Sequence, residues 1–268
     1  MSEKIFFLGA GKMATAIAGA LVKLDPANKA TITAFDPNRT AAEHFAEATG
    51  ARAESSGAAE LAAAADTVLV AVKPQHLRSA AEPLAAVLAD KLVISIVAGV
   101  ELAQLAALTG ARKLVRVMPN TPALVGEGMS CFATSGGLSS EELARVERIL
   151  EAAGKAAPVD EKLLNAVTGL SGSGPAYVFE FIMALADGGV REGLPRDLAI
   201  KLAIQTVLGS AKLAAEANLH PAQLRDQVIS PGGTTAAGVA ELERHGFRFA
   251  VQEAVVAAAR RSAELGKK

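Results

Sequence analysis

Cysteine is almost missing from this 268-residue sequence. The single thiol, Cys131, excludes an internal disulfide and any zinc site built on cysteine pairs. It lies in "GMSCFA", a strand-like run, where a small core residue is a better reading than a nucleophile. Histidine is scarce too: His44, His76, His220 and His245 are scattered without metal-ligand spacing, so no metal site is expected. Charge of one sign is also lacking. A net charge of −1 and a pI near 6.5 give no electrostatic case for nucleic acid or an anionic membrane as partner. No stretch reads as long and apolar enough to span a bilayer. The longest charge-free run, Leu163 to Phe179, contains "TGLSGSGPAY", too rich in Gly and Ser for that job. The N-terminal "MSEKIFFLGAGKMATAIAGAL" is interrupted by Lys12, and its glycines fit a strand and turn better than a signal peptide. A cytoplasmic protein is the plain reading.

What is present is an alternation. "KIFFLGA", "ATITAFD", "TVLVAVKP", "KLVISIVAG" and "RKLVRVMPN" are strand-like, and "GKMATAIAGALVKL", "RTAAEHFAEATG", "LRSAAEPLAAVLAD" and "ELAQLAALTG" between them are helix-like. Strands alternating with helices predict βαβ units and a mostly parallel, doubly wound sheet. "MSCFATS" adds a late strand, "SSEELARVERILEAAG" a helix capped by Ser139 or Ser140, and "AAPVD" a last strand. After about residue 160 the strand pattern stops. Pro175 and Pro195 open long helices, and "HPAQLRDQV", "TTAAGVAELERHG" and "FRFAVQEAVVAAARRSAELG" complete an all-helical second half. The expected fold is therefore an α/β Rossmann-like domain over residues 1–160 and an all-α domain over 161–268. Leu198, Ile200, Leu202, Ile204, Val207, Leu208 and Leu213 wrap most of the way round the Pro195 helix. Such a helix must be covered on all sides, by a partner subunit or by a central place in the monomer; a homo-oligomer is favoured.

Gly9-Ala10-Gly11-Lys12-Met13-Ala14 follows the first strand and opens a helix, which is G-x-G-x-x-A where a dinucleotide fingerprint requires it. Gly9 allows the tight turn, Gly11 lets backbone approach a pyrophosphate, and Ala14 lets the helix pack on the sheet. The helix N-terminus offers free N–H groups to the phosphates. At the end of the second strand two signals conflict. Asp36 would bond the ribose hydroxyls and favour NAD, whereas Asn38 and Arg39 would hold a 2′-phosphate and favour NADP. The bland alternative for "DPNR" is an Asx-type turn with an exposed arginine. Ala71-Val72-Lys73-Pro74 and Val97-Ala98-Gly99 end two further strands, where ligands of open α/β sheets sit. Asn120 follows another strand and lines the same cleft or forms a turn. In "ISPGGTTAAG", residues 229–238, a Gly-rich turn enters a helix, which reads either as a Ser/Thr cap or as a carboxylate site.

Three blocks taken together, "VRVMPNTP" (115–122), "VTGLSGSGPAY" (167–177) and "HPAQLRDQVISPGGTTAAGVAELE" (220–243), resemble pyrroline-5-carboxylate reductase in the right order and over nearly the whole chain. The resemblance implies reduction of Δ1-pyrroline-5-carboxylate to L-proline with hydride from NAD(P)H, the last step of proline synthesis. It implies a Rossmann domain and a helical domain that interlocks in a homodimer, with decamers as a further assembly. Cofactor contacts then map to Gly9–Met13, the end of the second strand, Ala71–Pro74 and Val97–Gly99. Substrate contacts map to Ser230, Gly233, Thr234 and Thr235, with Asn120 nearby. On this reading the Thr235 hydroxyl is expected to face the imine nitrogen as the catalytic group, with backbone N–H groups holding the carboxylate. Members often carry Ser, or Asn-Arg directly, after the second strand, where this chain places Asp36 and Pro37 first. NADPH is expected from Asn38-Arg39, with NADH the alternative from Asp36. A 3-hydroxyacid dehydrogenase of the same plan would need Gly-x-x-x-Lys-x-x-Asn-Asn on a helix, and Lys201 has no such asparagines. A catalytically silent dinucleotide-binding module would show a spoiled C-terminal turn, and Ser230 to Thr235 is intact.

Overall fold

A computed structural model describes residues 3–266. Its strands are β1 (Ile5–Leu8), β2 (Ile32–Phe35), β3 (Arg52–Glu54), β4 (Thr67–Val70), β5 (Leu92–Ser95), β6 (Lys113–Met118), β7 (Gly128–Thr134) and β8 (Gly154–Pro158). Its helices are α1 (Lys12–Leu24), α2 (Arg39–Thr49), α3 (Ala58–Ala64), α4 (Leu77–Ala81), α5 (Ala85–Leu88), α6 (Leu102–Thr109), α7 (Ser140–Glu151), α8 (Leu164–Val167), α9 (Gly174–Arg191), α10 (Arg196–Glu216), α11 (Pro221–Val228), α12 (Thr234–Arg244) and α13 (Phe247–Leu265). Chain packing separates one compact unit, residues up to 172 with the end of the chain from 257, from a second, residues 173–256. The change in sequence pattern comes earlier, at about 160. The packing division differs because α8 and the turn after it stay with the sheet, and the last turns of α13 return to it.

The first unit is an eight-stranded sheet in the order β3-β2-β1-β4-β5-β6-β7-β8. All neighbours pair in parallel except β6 with β7. β1, β4 and β5 are buried along their whole length, as strands covered on both faces must be. Their alternating side chains feed two cores. Phe7, Leu69 and Ile94 join Ile17 and Phe45 on one face; Phe6, Val68 and Val93 join Leu77 and Leu105 on the other. Chain direction across the sheet reverses between β1 and β4, the place where open α/β folds leave a crevice.

Three local expectations are revised. β3 and α3 are not in the sequence reading, because "ARAESSGAAELAAAAD" carries only alanine and one leucine as an apolar signal. The single helix expected over 77–90 is broken into α4 and α5 by a 3₁₀ turn around Pro83, which removes a backbone donor. Pro195 caps α10 rather than occupying its first turn. Ser139 is the cap of α7, in a reciprocal box with Glu142: its hydroxyl accepts from the Glu142 N–H while the Glu142 carboxylate accepts from the Ser139 N–H. Burial pushes the Cys131 thiol up, in line with a core residue.

The second unit has a small core of Ala186, Ala199 and Ala203, flanked by Ile182 and Val190. The Tyr177 hydroxyl donates to the Ala254 carbonyl at 3.3 Å, and the Phe181 and Phe247 rings lie 5.7 Å apart. Around that core, Phe179, Met183, Leu202, Ile204, Leu208 and Leu213 remain open to solvent. The expectation that no stretch is long and apolar enough to cross a membrane fails for α10. By length and composition it qualifies, since its 21 residues are charged only at Arg196, Asp197, Lys201, Lys212 and Glu216. A helix enclosed in a bundle has the same composition.

Candidate active site

Within the first unit, the carboxyl ends of β1, β2, β4, β5 and β6 lie along one edge of the sheet, because these strands are all parallel. The glycine turn begins there. Gly9 has φ +106°, and a Cβ on it would lie 2.9 Å from the Ala71 carbonyl, so only glycine fits between β1 and the loop after β4. The Gly9 N–H donates to the Phe35 carbonyl at 2.8 Å, and the Ala71 N–H to the Leu8 carbonyl at 2.8 Å. These bonds draw three strand ends together. A Cβ on Gly11 would meet nothing within 4 Å, so open space faces the start of α1. Gly11 caps α1 without a side-chain hydrogen bond, and the first turn holds no acid. The N–H groups at Lys12 and Met13 are thus free to meet phosphate oxygens, and the opening suits a pyrophosphate.

The turn after β2 takes the Asx form. The Asp36 carboxylate accepts from the Asn38 N–H at 2.9 Å and, across 26 residues, from the Ala10 N–H at 3.0 Å. Asn38 caps α2 through its side chain. Arg39 pairs with Glu43 at 2.8 Å and is 85% exposed. Lys73 is exposed and caps a short 3₁₀ turn at Pro74–His76, while Ala71 and Val72 are half-buried beside the glycine turn. After β5, Val97 is buried, Ala98 exposed, and Gly99 takes φ +75°. The end of α13 seats on this turn, with the Gly266 N 3.6 Å from where a Gly99 Cβ would lie. Ser262 holds the helix there by donating to the Asn165 side chain at 2.8 Å.

Asn120, at the end of β6, is fully engaged. Its oxygen accepts from the Met129 N–H at 2.8 Å, and its amide donates to the Ser171 carbonyl and hydroxyl at 3.2 and 3.3 Å. Ser171 belongs to a π-helical turn, Thr168–Gly172, a form that recurs at functional sites and that periodicity could not reveal. A Cβ on Gly172 would lie 2.5 Å from the Met118 methyl, the far end of a flexible side chain, so the turn packs closely on the end of β6. Asn120 therefore ties β6, β7 and the Ser171 turn together.

In the second unit, Ser230-Pro231-Gly232-Gly233 forms a tight turn. Gly232 has φ +66° after Pro231, and the Gly233 N–H donates to the Ser230 carbonyl at 3.0 Å, the pattern of a type II β-turn. Gly233 caps α12, with no side-chain cap hydrogen bond and no acid in the first turn. Neither threonine serves as the cap, so the Ser/Thr-cap alternative does not describe this helix. A Cβ on Gly233 would lie 2.3 Å from the Ser230 hydroxyl oxygen, so that hydroxyl packs against the residue that caps α12. Thr235 is half-buried and Thr234 exposed. By contrast, α7 and α11 have their N-termini closed by capping boxes. Among the described residues no group of three or more His, Cys, Asp or Glu could hold a metal.

A doubly wound sheet with an open glycine turn at its switch point, joined to a helical unit, is the build of a dinucleotide-binding protein. The comparisons narrow this. The family model for pyrroline-5-carboxylate reductase dimerisation matches residues 161–265, and that for NADP oxidoreductase, coenzyme F420-dependent, matches 4–99. Pyrroline-5-carboxylate reductase of Arabidopsis thaliana is 46% identical, over 99% of this chain and 96% of the relative. The solved structure of the Coxiella burnetii pyrroline-5-carboxylate reductase superposes with TM-score 0.93 at 33% identity, over 100% of both chains. That of Plasmodium falciparum pyrroline carboxylate reductase, with NADP bound, gives 0.88 at 34% identity, over 99% of this chain and 98% of that one. The chain belongs to the pyrroline-5-carboxylate reductase family.

Proposed function

We propose that this protein reduces Δ1-pyrroline-5-carboxylate to L-proline with NADPH or NADH, as the cytoplasmic last step of proline synthesis, and works as a homodimer through residues 161–268. The observation that carries the chemistry is the open N-terminus of α12 behind the Ser230–Gly233 turn. The substrate has a carboxylate and a C=N bond that is readily protonated. The N–H groups of Thr234 and Thr235 suit the carboxylate, the Gly233 N–H being spent on the Ser230 carbonyl, and the Ser230 hydroxyl beside Gly233 adds a donor. The Thr235 hydroxyl bonds the ring nitrogen as it becomes a secondary amine. The hydride would come from a reduced nicotinamide cofactor when one is bound. The chain's remaining task is to fix the ring in one orientation, which needs no acid–base dyad.

The cofactor would be held by Gly9–Met13, by Asp36, Asn38 and Arg39, and by the Ala71–Pro74 and Val97–Gly99 turns. Family membership and the NADP-bound relative favour NADPH, with NADH the alternative. The exposed apolar side chains of α9 and α10 support the dimer, and decamers are the further assembly. Steady-state assays with NADPH and NADH side by side test this reading. Oxidation of reduced cofactor should require pyrroline-5-carboxylate, and 3-hydroxyisobutyrate should give none. Absence of turnover with pyrroline-5-carboxylate and either cofactor would refute it. Arg39→Ala should raise KM for NADPH and leave NADH little changed if Arg39 reads the 2′-phosphate.

A further inference from the structure

The position of Asp36 makes it more than a ribose ligand. The acid after the second strand of a dinucleotide fold ordinarily acts by accepting from the adenosine ribose. Here one carboxylate oxygen is committed to the Ala10 N–H at 3.0 Å and the other to the Asn38 N–H at 2.9 Å. Ala10 lies between the two glycines of the turn. Its neighbour Gly9 is fixed by the Phe35 carbonyl and wedged against Ala71. Gly11 faces open space and has no side-chain cap. The Asp36 carboxylate thus holds the middle of the glycine turn from a neighbouring strand, with a charged acceptor, the stronger kind of hydrogen bond. Its other oxygen fixes the turn that carries Asn38, the cap of α2.

We propose that Asp36 is a positioning residue for the phosphate-binding turn: it acts on the cofactor by holding the Ala10 N–H, so that the N–H groups at the start of α1 face the pyrophosphate. This rests on the dinucleotide reading above. It differs from ribose recognition in one measurable way: the effect of Asp36 does not depend on the ribose hydroxyls. Asp36→Asn removes the charge and leaves a single acceptor oxygen, so the Ala10 and Asn38 N–H groups can no longer both be held.

The experiment is calorimetric titration of the full-length protein, wild type and Asp36→Asn, without substrate. The probes are NADH and an NADH analogue lacking both hydroxyls of the adenosine ribose. Asp36→Asn should weaken both by the same factor, about tenfold, as expected for the loss of one charge-assisted hydrogen bond. In turnover, KM for NADH should rise with kcat and KM for pyrroline-5-carboxylate holding. A loss confined to NADH, with the analogue unaffected, would overturn the proposal in favour of direct ribose contact; so would unchanged affinity for both probes. Should the variant not fold, amide hydrogen exchange on the nucleotide-free wild type decides. Strong protection of the Ala10 N–H supports the latch, and exchange at the rate of a free amide overturns it. Wild type that binds NADH but does not reduce pyrroline-5-carboxylate would refute the proposed function and leave this role standing. Wild type that binds neither probe would refute the dinucleotide reading and this role with it.

Discussion

Gly233 shows how far one residue's chemistry can be read. The sequence marks it as a glycine at a helix start, and a side chain there would be expected to displace a bound carboxylate. The structure adds that a Cβ first meets the Ser230 hydroxyl, at 2.3 Å. Gly233→Val should therefore both crowd the proposed carboxylate site and push the serine aside, raising KM for pyrroline-5-carboxylate more than either threonine substitution does. Thr235→Val keeps the shape and removes one polar contact. It should lower kcat/KM by roughly 10- to 150-fold, the loss of about 1.5–3 kcal/mol of hydrogen bonding to a charged or developing group. Folding and cofactor affinity should survive, and Thr234→Val should do less. Steady-state kinetics of the three variants check this; a Thr235→Val enzyme with normal kcat and KM would leave the hydroxyl without a role. Asp36 and Asn120 were legible as polar residues at strand ends. Their partners were not, because Ala10 and Ser171 are brought to them only by the folded chain.

Among the elements, α7 offers a test of capping and charge together. The Glu142 carboxyl is held below the usual range by the Lys113 side chain, then by the Ser139 backbone N–H. Lys113 reaches it at 2.6 Å from β6, so one carboxylate both closes the helix and fastens it to the sheet. A lowered pKa in the folded protein means that this stabilisation is present above the ordinary glutamate pKa and is lost as pH falls below it. Thermal unfolding followed across the acid range should show a decline that is smaller in Glu142→Gln. Ser139→Ala should cost about 1 kcal/mol at neutral pH. The sequence announced this cap, since Ser-x-x-Glu before an apolar pattern is a local signal. It was silent on β3, where exposed Arg52 and half-buried Ala53 and Glu54 complete the sheet edge with no apolar run. The break between α4 and α5 was available in Pro83, but alanines on both sides kept the helical pattern unbroken.

For the whole molecule, the second unit decides the state of assembly. Its own core is three alanines, while Leu202, Ile204 and Leu208 on α10 are about half exposed, at 49%, 48% and 58%. So much open apolar surface on one unit is the mark of an interface. Light scattering should give a multiple of the 27.3 kDa chain mass. Ile204→Lys with Leu208→Lys, four residues apart on one helix face, should shift the protein toward monomer. The melting temperature of the wild type should rise with protein concentration, and that dependence should weaken in the double variant. A wild-type mass equal to one chain would refute the assembly.

The sequence by itself determined the alternation of strands and helices, the place of the glycine turn, the caps with local signatures and the family. These follow from periodicity, from residues with restricted backbones and from motifs that lie within a few positions of one another. Only the tertiary structure decided which polar groups are spent on holding the fold and which stay open. Asp36 meets Ala10, Asn120 meets Ser171, and the end of α13 meets Gly99, all across long separations in the chain. The entrances to α1 and α12 are left without side-chain caps. A hydrogen-bond donor is free or satisfied according to what lies within about 3 Å of it, and that distance is set by packing rather than by position in the sequence.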